Sequence, residues 1–196
     1  TFISCSKSSD DGSKSTDNST TTGLFVTVGE SGTILTSSDG TSWDNRTSGT
    51  SEFLYGVTYG NSTFVTVGDN GTILTSSDGS SWDNRTSGTS NLLFGVTYGN
   101  GTFVTVGDNG TILTSSDGIS WTSRTSGTSD PLTGVTYGNG TFVMVGYSYT
   151  TSTTLNSDNS TTTITDNSTT SLTSSDGVTW TLRDSGTSNE LRGSIT

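Results

Sequence analysis

The chain lacks, or nearly lacks, the residue types on which most catalytic and metal-binding sites depend. Histidine is absent, and cysteine occurs once among the 196 residues. Without histidine, the most frequent general base of enzymes is missing. A single cysteine excludes a disulfide framework and a cysteine-based metal site. We therefore expect a protein that is not an enzyme and that holds no cofactor and no metal.

Basic residues are also scarce. Only 7 Lys and Arg residues stand against 18 Asp and Glu residues, which gives a formal net charge of −11. Binding to nucleic acid or to an anionic membrane surface depends on clustered Lys and Arg, so neither is an expected partner. No hydrophobic run approaches the roughly 18 residues of a membrane-spanning helix. Contact with a membrane is expected only through a lipid anchor.

Hydrophobic residues make up only 26% of the chain, and proline occurs once. The abundant residues are 44 Thr, 37 Ser and 26 Gly. Thr and Val favour strands because their branched Cβ restricts χ1, and regularly spaced Gly indicates turns. This composition favours repeated thin sheets over one large core.

The four tryptophans reveal an internal repeat. They stand at Trp43, Trp82, Trp121 and Trp180, with gaps of 39, 39 and 59 residues. The segment Ser-Ser-Asp-Gly-x-x-Trp ends at each of them, and a second shared segment, Phe-Val-x-Val-Gly, precedes it in the same register. A period between about 20 and 50 residues is typical of solenoids and propellers, in which each unit buries its apolar face on its neighbours.

Each unit is expected to form four short strands. In the last unit these are near residues 132–137, 141–145, 172–174 and 179–183, with Gly138-Asn139-Gly140 as a tight hairpin turn. Residues 191–196 align with the first strand of a unit, whereas the first unit begins at its second strand, near Phe25. Residues 23–196 are therefore predicted to form an all-β, four-bladed propeller whose ring is closed by the C-terminal strand.

Two segments depart from the repeat. Residues 1–22 are a low-complexity stretch of Ser, Thr, Asp and Lys, predicted to be a tail or a docking strand. Residues 147–171 contain an insertion rich in Thr, Ser, Asn and Asp, predicted to be a projecting hairpin. Such insertions often mark a contact surface in repeat proteins, although a solvated loop is an equal alternative.

The repeated segment resembles the Asp-box, the turn motif of sialidase-like propellers and of the photosystem assembly factor family. The resemblance covers residues 24–196, and the segment is one residue shorter than the usual Asp-box. It implies a structural role, in which each Asp accepts backbone hydrogen bonds within its turn and each Trp packs beneath it. The residues concerned are Asp39, Trp43, Asp78, Trp82, Asp117, Trp121, Asp176 and Trp180.

The resemblance to sialidases also raises the question of catalysis. Sialidases require three converging arginines, a tyrosine nucleophile with a supporting glutamate, and an acidic aspartate. Repetition makes the arginines here equivalent rather than specialised, and no glutamate lies in a repeated segment. The arginines are Arg46, Arg85, Arg124 and Arg183. They are expected either to line a central channel, where they would bind an anion, or to stack on Trp or pair with Asp44 and Asp83.

Ten Asn-x-Ser/Thr sequences suggest glycosylation. The candidate sites are Asn18, Asn45, Asn61, Asn84, Asn159 and Asn167. The Asn-Gly-Thr copies lie in predicted tight turns and are less suitable. The sequences Asp69-Asn70-Gly71 and Asp108-Asn109-Gly110 are interpreted as turns rather than calcium loops, because they have too few carboxylates at alternating positions.

The first residues suggest assembly or lipidation. The segment Phe2-Ile3-Ser4-Cys5 followed by polar residues resembles a bacterial lipobox, which would place a lipid on Cys5. Alternatively, Phe2 and Ile3 lie in a strand that adds to the sheet edge of a neighbouring molecule, with Cys5 as a buried thiol. An initial Thr rather than Met is expected of a processed chain.

These observations predict a secreted, non-enzymatic protein of the cell surface with a structural or adhesive role. It would be the subunit of a glycosylated filament assembled through the N-terminal segment, with further copies of itself as its main partner. The alternative is a lipid-anchored propeller that binds a carbohydrate or another surface protein.

Overall fold

The protein is all-β. The structure, a computed structural model, describes residues 2–4, 23–155, 160–187, 189 and 191, without the side chains of 2–4, 148–152, 162 and 164–168. The strands are β1 (Phe2–Ser4), β2 (Phe25–Val28), β3 (Ile34–Ser37), β4 (Asp44–Arg46), β5 (Leu54–Gly60), β6 (Thr63–Gly68), β7 (Ile73–Ser76), β8 (Asp83–Arg85), β9 (Leu93–Gly99), β10 (Thr102–Gly107), β11 (Ile112–Ser115), β12 (Thr122–Arg124), β13 (Leu132–Gly138), β14 (Thr141–Leu155), β15 (Thr161–Ser174) and β16 (Thr181–Arg183). No helix in these ranges is long and apolar enough to cross a membrane.

The strands form four antiparallel sheets of four strands each, which confirms the all-β prediction. We call them sheet A (β1–β4), sheet B (β5–β8), sheet C (β9–β12) and sheet D (β13–β16). In each sheet the strands lie side by side in chain order. The first strands β5, β9 and β13 lie next to one another across neighbouring sheets, so they form the inner side of a row. The last strand of each sheet therefore lies on the outer side.

Turn chemistry fixes the register of the strands. In sheet C, Asn100 and Gly101 connect β9 to β10 with φ angles of 46° and 74°. Positive φ at both central residues defines the turn whose twist matches that of the flanking strands, and Asn-Gly is the pair that most readily adopts it. Between β10 and β11, a short 3₁₀ turn at Asp108–Gly110 holds the next connection. The backbone N–H of Gly110 donates to the carbonyl of Asp130, 2.9 Å away, at the entrance to sheet D.

The sheets pack on each other through two different faces. We call the face that carries the Phe of the second strand and the Leu of the third strand the leading face, and the opposite one the trailing face. Between sheets B and C, the trailing face of B meets the leading face of C in a fully apolar cluster. Its members are Val65, Val67 and Ile73 from sheet B and Leu93, Phe103 and Leu113 from sheet C.

The same face pair packs at the other two junctions of the row. Sheets A and B join through Val26, Val28, Ile34, Leu54, Val57, Phe64 and Leu74. Sheets C and D join through Val104, Val106, Ile112, Leu132, Val135, Phe142, Met144 and Leu172. Nearly all of these side chains are withdrawn from solvent. The core of the protein is therefore divided into three layers between sheets, and each sheet depends on its neighbours for burial.

Glycines allow the inner strands to approach each other. A Cβ placed on Gly60 would lie 2.1 Å from Cγ of Tyr98, and one placed on Gly99 would lie 2.1 Å from Cγ of Tyr137. Each tyrosine of one inner strand thus lies over the glycine at the end of the preceding inner strand. Any side chain at Gly60 or Gly99 would push these strands apart.

The insertion of sheet D forms a long hairpin. β14 and β15 pair continuously from Phe142 with Ser174 to Leu155 with Thr161. Strands β10 and β11 of sheet C, in contrast, pair over only four residues. Sheet D therefore extends well beyond the other three sheets, and Leu155 near the end of the hairpin is 65% exposed.

The strand that completes sheet A is not the predicted one. β1 pairs antiparallel with β2, with Phe2 opposite Val28 and Ser4 opposite Val26. The edge of β2 is thus taken by the N-terminal strand, which corrects the prediction that residues 191–196 pair there. Leu191 instead lies beside sheet D, where its carbonyl accepts a hydrogen bond from Oγ1 of Thr133 at 3.0 Å. Residues 192–196 lie outside the described residues, and closure of the row into a ring was not found.

Candidate functional site

The most regular polar site is the turn formed by each Ser-Ser-Asp-Gly-x-x-Trp segment. In sheet B, Oδ1 of Asp78 accepts hydrogen bonds from the backbone N–H groups of Ser80 (2.7 Å) and Ser81 (3.0 Å). The Ser76 hydroxyl donates to the same oxygen at 3.0 Å and accepts from the N–H of Gly79 at 2.8 Å. The carboxylate thereby satisfies donors that the turn would otherwise leave unpaired.

The other three turns have the same geometry. Their aspartates, Asp39, Asp117 and Asp176, each accept two backbone N–H groups and one serine hydroxyl. Hydrogen bonds to the charged form lower a carboxyl pKa. The backbone N–H of Thr179, followed by that of Val178 and the Ser174 hydroxyl, lowers the pKa of Asp176 to about 2. The same bonds lower the pKa of the other three aspartates, so all four are ionised at neutral pH.

The tryptophans of the turns do not all have the same environment. Nε1 of Trp82 donates to the carbonyl of Gly79 at 3.1 Å, and Nε1 of Trp121 donates to that of Gly118 at 2.9 Å. In sheet D, Nε1 of Trp180 is buried without a partner among the described residues. Trp43 of sheet A is 40% exposed. The residue type is repeated, but its burial changes along the row.

An aromatic group supports each of the last three turns. In sheet C, the rings of Tyr98 and Phe103 lie 4.6 Å apart, and those of Phe103 and Trp121 lie 6.5 Å apart. Sheets B and D have the same tilted arrangement. Such pairs stabilise by about 0.5–1.5 kcal/mol beyond the area they bury. The tyrosine comes from the inner strand, so the group joins the inner side of the row to the turn.

The arginines lie on the outer strands. Nε of Arg85 donates to Oγ1 of Thr75 at 2.8 Å, and its Nη2 forms an ion pair with Asp83 at 3.0 Å. Arg46 makes the equivalent contacts with Thr36 and Asp44. In sheets C and D, Arg124 and Arg183 keep the bond to threonine, and neither forms an ion pair with a described residue. Because strands β4, β8, β12 and β16 are the last of their sheets, the arginines do not line a central channel, and the alternative with Asp44 and Asp83 applies.

A second polar and aromatic cluster lies at the start of the inner strands. Phe53 stacks on Tyr55 with ring centroids 4.7 Å apart, and Phe94 of sheet C meets Tyr55 edge-on at 5.5 Å. Burial, a hydrogen bond to Asp69 and the charges of Asp69 and Asp108 raise the pKa of Tyr55 to about 12. Burial also raises the pKa of Asp108. Oδ1 of Asp69 is buried without a hydrogen-bond partner among the described residues.

This inner cluster was not recognised in the sequence, because the residue type at the central position varies between units. Tyr55, Phe94 and Thr133 occupy the same place in their strands. The sequence signal that could have indicated the cluster is this one variable position within an otherwise repeated segment. The described residues contain no group of three or more His, Cys, Asp or Glu side chains that could hold a metal ion.

The candidate glycosylation sites occupy different settings. Asn45 and Asn84 are exposed on the outer strands β4 and β8. Asn61 lies in the β5–β6 hairpin at a φ of 46°, and its Nδ2 donates to the carbonyl of Ser116 in the next sheet at 3.4 Å. Asn167 lies on β15 of the long hairpin. Asn18 and Asn159 lie outside the described residues.

The candidate assembly residues are only partly described. Phe2 and Ile3 lie in β1, where Ile3 is opposite Thr27 of β2. Cys5 lies outside the described residues. The structure therefore places Phe2–Ser4 on the edge of sheet A in the same chain. Among the described residues, no further sheet packs on the leading face of sheet A, which was not predicted from the sequence.

No protein-family model matches the chain, and neither does any curated protein sequence. Among solved structures, the chain is similar to that of "YCF48 bound to D1 peptide", with a TM-score of 0.60 and 19% sequence identity. The similarity covers 87% of this chain and 52% of that one, so the chain spans about half the length of that structure. At this identity the similarity supports the β-propeller repeat fold alone.

Proposed function

We propose that the chain is a non-catalytic structural or adhesive protein of the cell exterior, which assembles with further copies of itself through its N-terminal strand. The observation that carries the proposal is the pairing of β1 with β2. The two strands are separated by residues 5–24, yet they pair over Phe2–Ser4 in regular antiparallel register. The edge of β2 is thus a site that accepts a short strand from a remote segment.

If β1 came from a second molecule, it would pair with β2 through the same backbone hydrogen bonds that it forms within one chain. An unpaired strand edge binds an extended segment through its backbone groups, and head-to-tail donation from copy to copy produces an open polymer. The repeated turns are consistent with an Asp-box protein, a family in which this turn is structural. Exposed Asn45 and Asn84 and a surface rich in Thr and Ser support an extracellular, glycosylated protein.

The test is the substitution Ile3→Pro in the full chain. Proline removes a backbone N–H and disfavours pairing within a strand, so it should weaken β1 on any acceptor edge. Electron microscopy of the unmodified chain should show filaments, and the variant should show isolated particles. Ser13→Pro, in the segment between β1 and β2, is the matched control and should still form filaments. Filaments of Ile3→Pro that resemble those of the control would refute assembly through β1.

A second candidate is a lipid-anchored propeller that binds a peptide or a carbohydrate. The observation in its favour is the similar solved structure, in which YCF48 is bound to a D1 peptide. A surface cavity of about 700 Å³ between sheets B and C, lined in part by Trp121 and Arg124, could receive such a ligand. Binding on peptide and glycan arrays that Arg124→Gln abolishes would support this candidate. Mass spectrometry of native protein would detect a lipid on Cys5, and an unmodified Cys5 would exclude the anchor.

A further inference from the structure

The two ends of the sheet row present apolar faces that are buried everywhere else in the chain. At the first end, the leading face of sheet A carries Phe25 and Leu35, which are only partly buried, and Trp43, which is 40% exposed. Their counterparts in sheet C, Phe103 and Leu113, are 0% and 2% exposed. No strand of sheet D makes an extensive contact with sheet A in the part of the chain that the structure describes.

The turn glycines show the same difference. In sheets C and D, a Cβ at Gly118 or Gly177 would lie 3.2 and 3.5 Å from a valine of the preceding sheet. At Gly40 of sheet A, the nearest atom is 3.9 Å away and belongs to Phe25 of the same sheet. Among the described residues, nothing takes the place at sheet A that a preceding sheet takes at the other junctions.

The second end is the trailing face of sheet D. Val143 is partly buried and Val145 is 7% exposed, whereas their counterparts Val104 and Val106 in sheet C are fully buried. Ser171 stands where the other three sheets have isoleucine and is also partly buried. This face is therefore less apolar than the internal ones, but two of its valines are retained.

A hydrogen bond that joins the internal sheets has no counterpart at these ends within the described residues. Nδ2 of Asn61 in sheet B donates to the carbonyl of Ser116 in sheet C, and Nδ2 of Asn100 in sheet C donates to that of Ser175 in sheet D, both at 3.4 Å. By repetition, Asn139 of sheet D would donate to Ser38 of a following sheet A. Asn139 is exposed and lies in a turn with nearly the same φ, 48°. The donor is at one end of the row and the acceptor is at the other.

We propose that two copies of this chain bind each other through these faces, with the trailing face of sheet D in each copy covering the leading face of sheet A in the other. At each of the three internal junctions, a trailing face packs on a leading face. The two end faces are of these same two kinds, so we expect them to fit each other. Two copies would give eight sheets, within the usual range of about four to eight for a closed propeller. This contact is independent of strand exchange by β1.

The first test measures mass. The full chain carrying Ile3→Pro, which should weaken the filament contact, is studied by sedimentation equilibrium. The expected mass is twice the 20.2 kDa of the chain. Because Ile3 also lies in β1 of sheet A, a monomer overturns the proposal when the crosslink between copies described below, made in a chain with Ile3 unchanged, is absent as well. A dimer of Ile3→Pro that forms no filaments supports both the dimer and the filament assembled through β1. Filaments that persist in this variant contradict only the assembly through β1.

The second test uses one charged substitution on each face. Leu35→Asp should abolish the dimer from the sheet A side, and Val143→Asp should abolish it from the sheet D side. A mixture of the two variants should recover a heterodimer, because each retains the face that the other has lost. Leu182→Asp, at a leucine that is 55% exposed outside both faces, is the matched control and should remain dimeric. If Leu35→Asp is monomeric but Val143→Asp remains dimeric, the trailing face of sheet D is not part of the interface. The leading face of sheet A would then pair with its own copy, and the proposal would be wrong.

A third test uses a disulfide crosslink, which does not depend on whether the charged variants fold. In a Cys5→Ser background, Ser38→Cys combined with Asn139→Cys should form a disulfide between two copies under oxidation. Asn61→Cys combined with Ser116→Cys tests the same geometry inside one chain and should form an internal disulfide. A crosslink in the internal control without one between copies would overturn the proposal.

Discussion

Sheets A and B have nearly the same sequence but different surroundings. Leu35 and Leu74 occupy the same strand position, yet Leu74 is 1% exposed and Leu35 is only partly buried. Trp82 donates to the carbonyl of Gly79, while Trp43 is 40% exposed. The difference arises because sheet B has sheet A in front of it and sheet A has no described sheet in front. Burial in this repeat is thus a property of the neighbour as much as of the residue.

The turns show the opposite behaviour. Asp39 and Asp78 accept the same backbone and serine hydrogen bonds at nearly the same distances. These bonds join residues two or three positions apart, so they do not require a neighbouring sheet. The comparison separates two kinds of stabilisation: local bonds that each unit supplies for itself and apolar packing that two units must share.

The largest expected difference is between Leu74→Ala and Leu35→Ala. Removing a fully buried leucine costs about 2–5 kcal/mol, because it removes apolar contacts and leaves a cavity. Removing a partly exposed leucine should cost about 1 kcal/mol, since less area returns to water. Urea unfolding of each variant, at a concentration where the chain is monomeric, measures both free energies. Equal losses would mean that the leading face of sheet A is covered after all.

A second, smaller effect should be equal in the two sheets. Asp78→Asn and Asp39→Asn keep the shape of the side chain but replace a charged acceptor by a weaker neutral one. Each should lower the thermal midpoint by a few degrees, and the two shifts should match because the bonds are local. Differential scanning fluorimetry measures both. Ser77→Ala, at an exposed side chain next to the same turn, serves as the control and should leave the midpoint unchanged.

Acid should weaken all four turns together. Because the folded pKa of each turn aspartate lies below its unfolded value of about 3.9, ionisation stabilises the fold above that pH. This stability should be lost as the pH falls through the folded pKa, which for Asp176 is about 2. Thermal midpoints measured from about pH 5 to about pH 2 should fall, and less steeply for Asp78→Asn than for the unmodified chain. A slope unchanged by that substitution would contradict the assignment.

The smallest effect is expected on the outer strands. Asp83→Thr recreates the arrangement of sheet C, where Thr122 takes the place of the aspartate and Arg124 is bonded to Thr114. An exposed ion pair contributes little, so the loss should be below about 0.5 kcal/mol, and Asp44→Thr should behave in the same way. Urea unfolding at low and high salt measures it. A loss above about 1 kcal/mol in either sheet would show that the outer ion pairs stabilise more than solvated pairs do.

Most of the fold could be predicted from the sequence repeat. The spacing of the tryptophans and the Asn-Gly turns predicted four sheets of four strands, because strand period and turn chemistry are local properties. The strand that completes sheet A could not be assigned in the same way. Residues 191–196 match the repeat better than Phe2–Ser4, but an edge strand pairs through backbone groups that any sequence provides, so sequence similarity alone does not identify the partner.

The sites were less accessible to sequence reasoning. The pairing of Arg46 and Arg85 with neighbouring aspartates was one of the alternatives, but which side of the sheet they occupy depends on which strand is innermost. The exposure of Trp43 could not be read from its sequence, since that sequence is shared with buried tryptophans. The aromatic group of Phe53, Tyr55 and Phe94 assembles from different units, and only the packing of one sheet on the next brings it together.

Gly60 and Gly99, beneath Tyr98 and Tyr137, separate the packing between sheets from the folding of each sheet. A methyl group at either position would lie 2.1 Å from Cγ of the tyrosine of the next inner strand, so the two strands would have to move apart. The hydrogen bonds of each Ser-Ser-Asp-Gly-x-x-Trp turn lie within one sheet and would not be affected. Such a substitution should therefore loosen the contact of one sheet with the next while leaving the local structure of each turn in place.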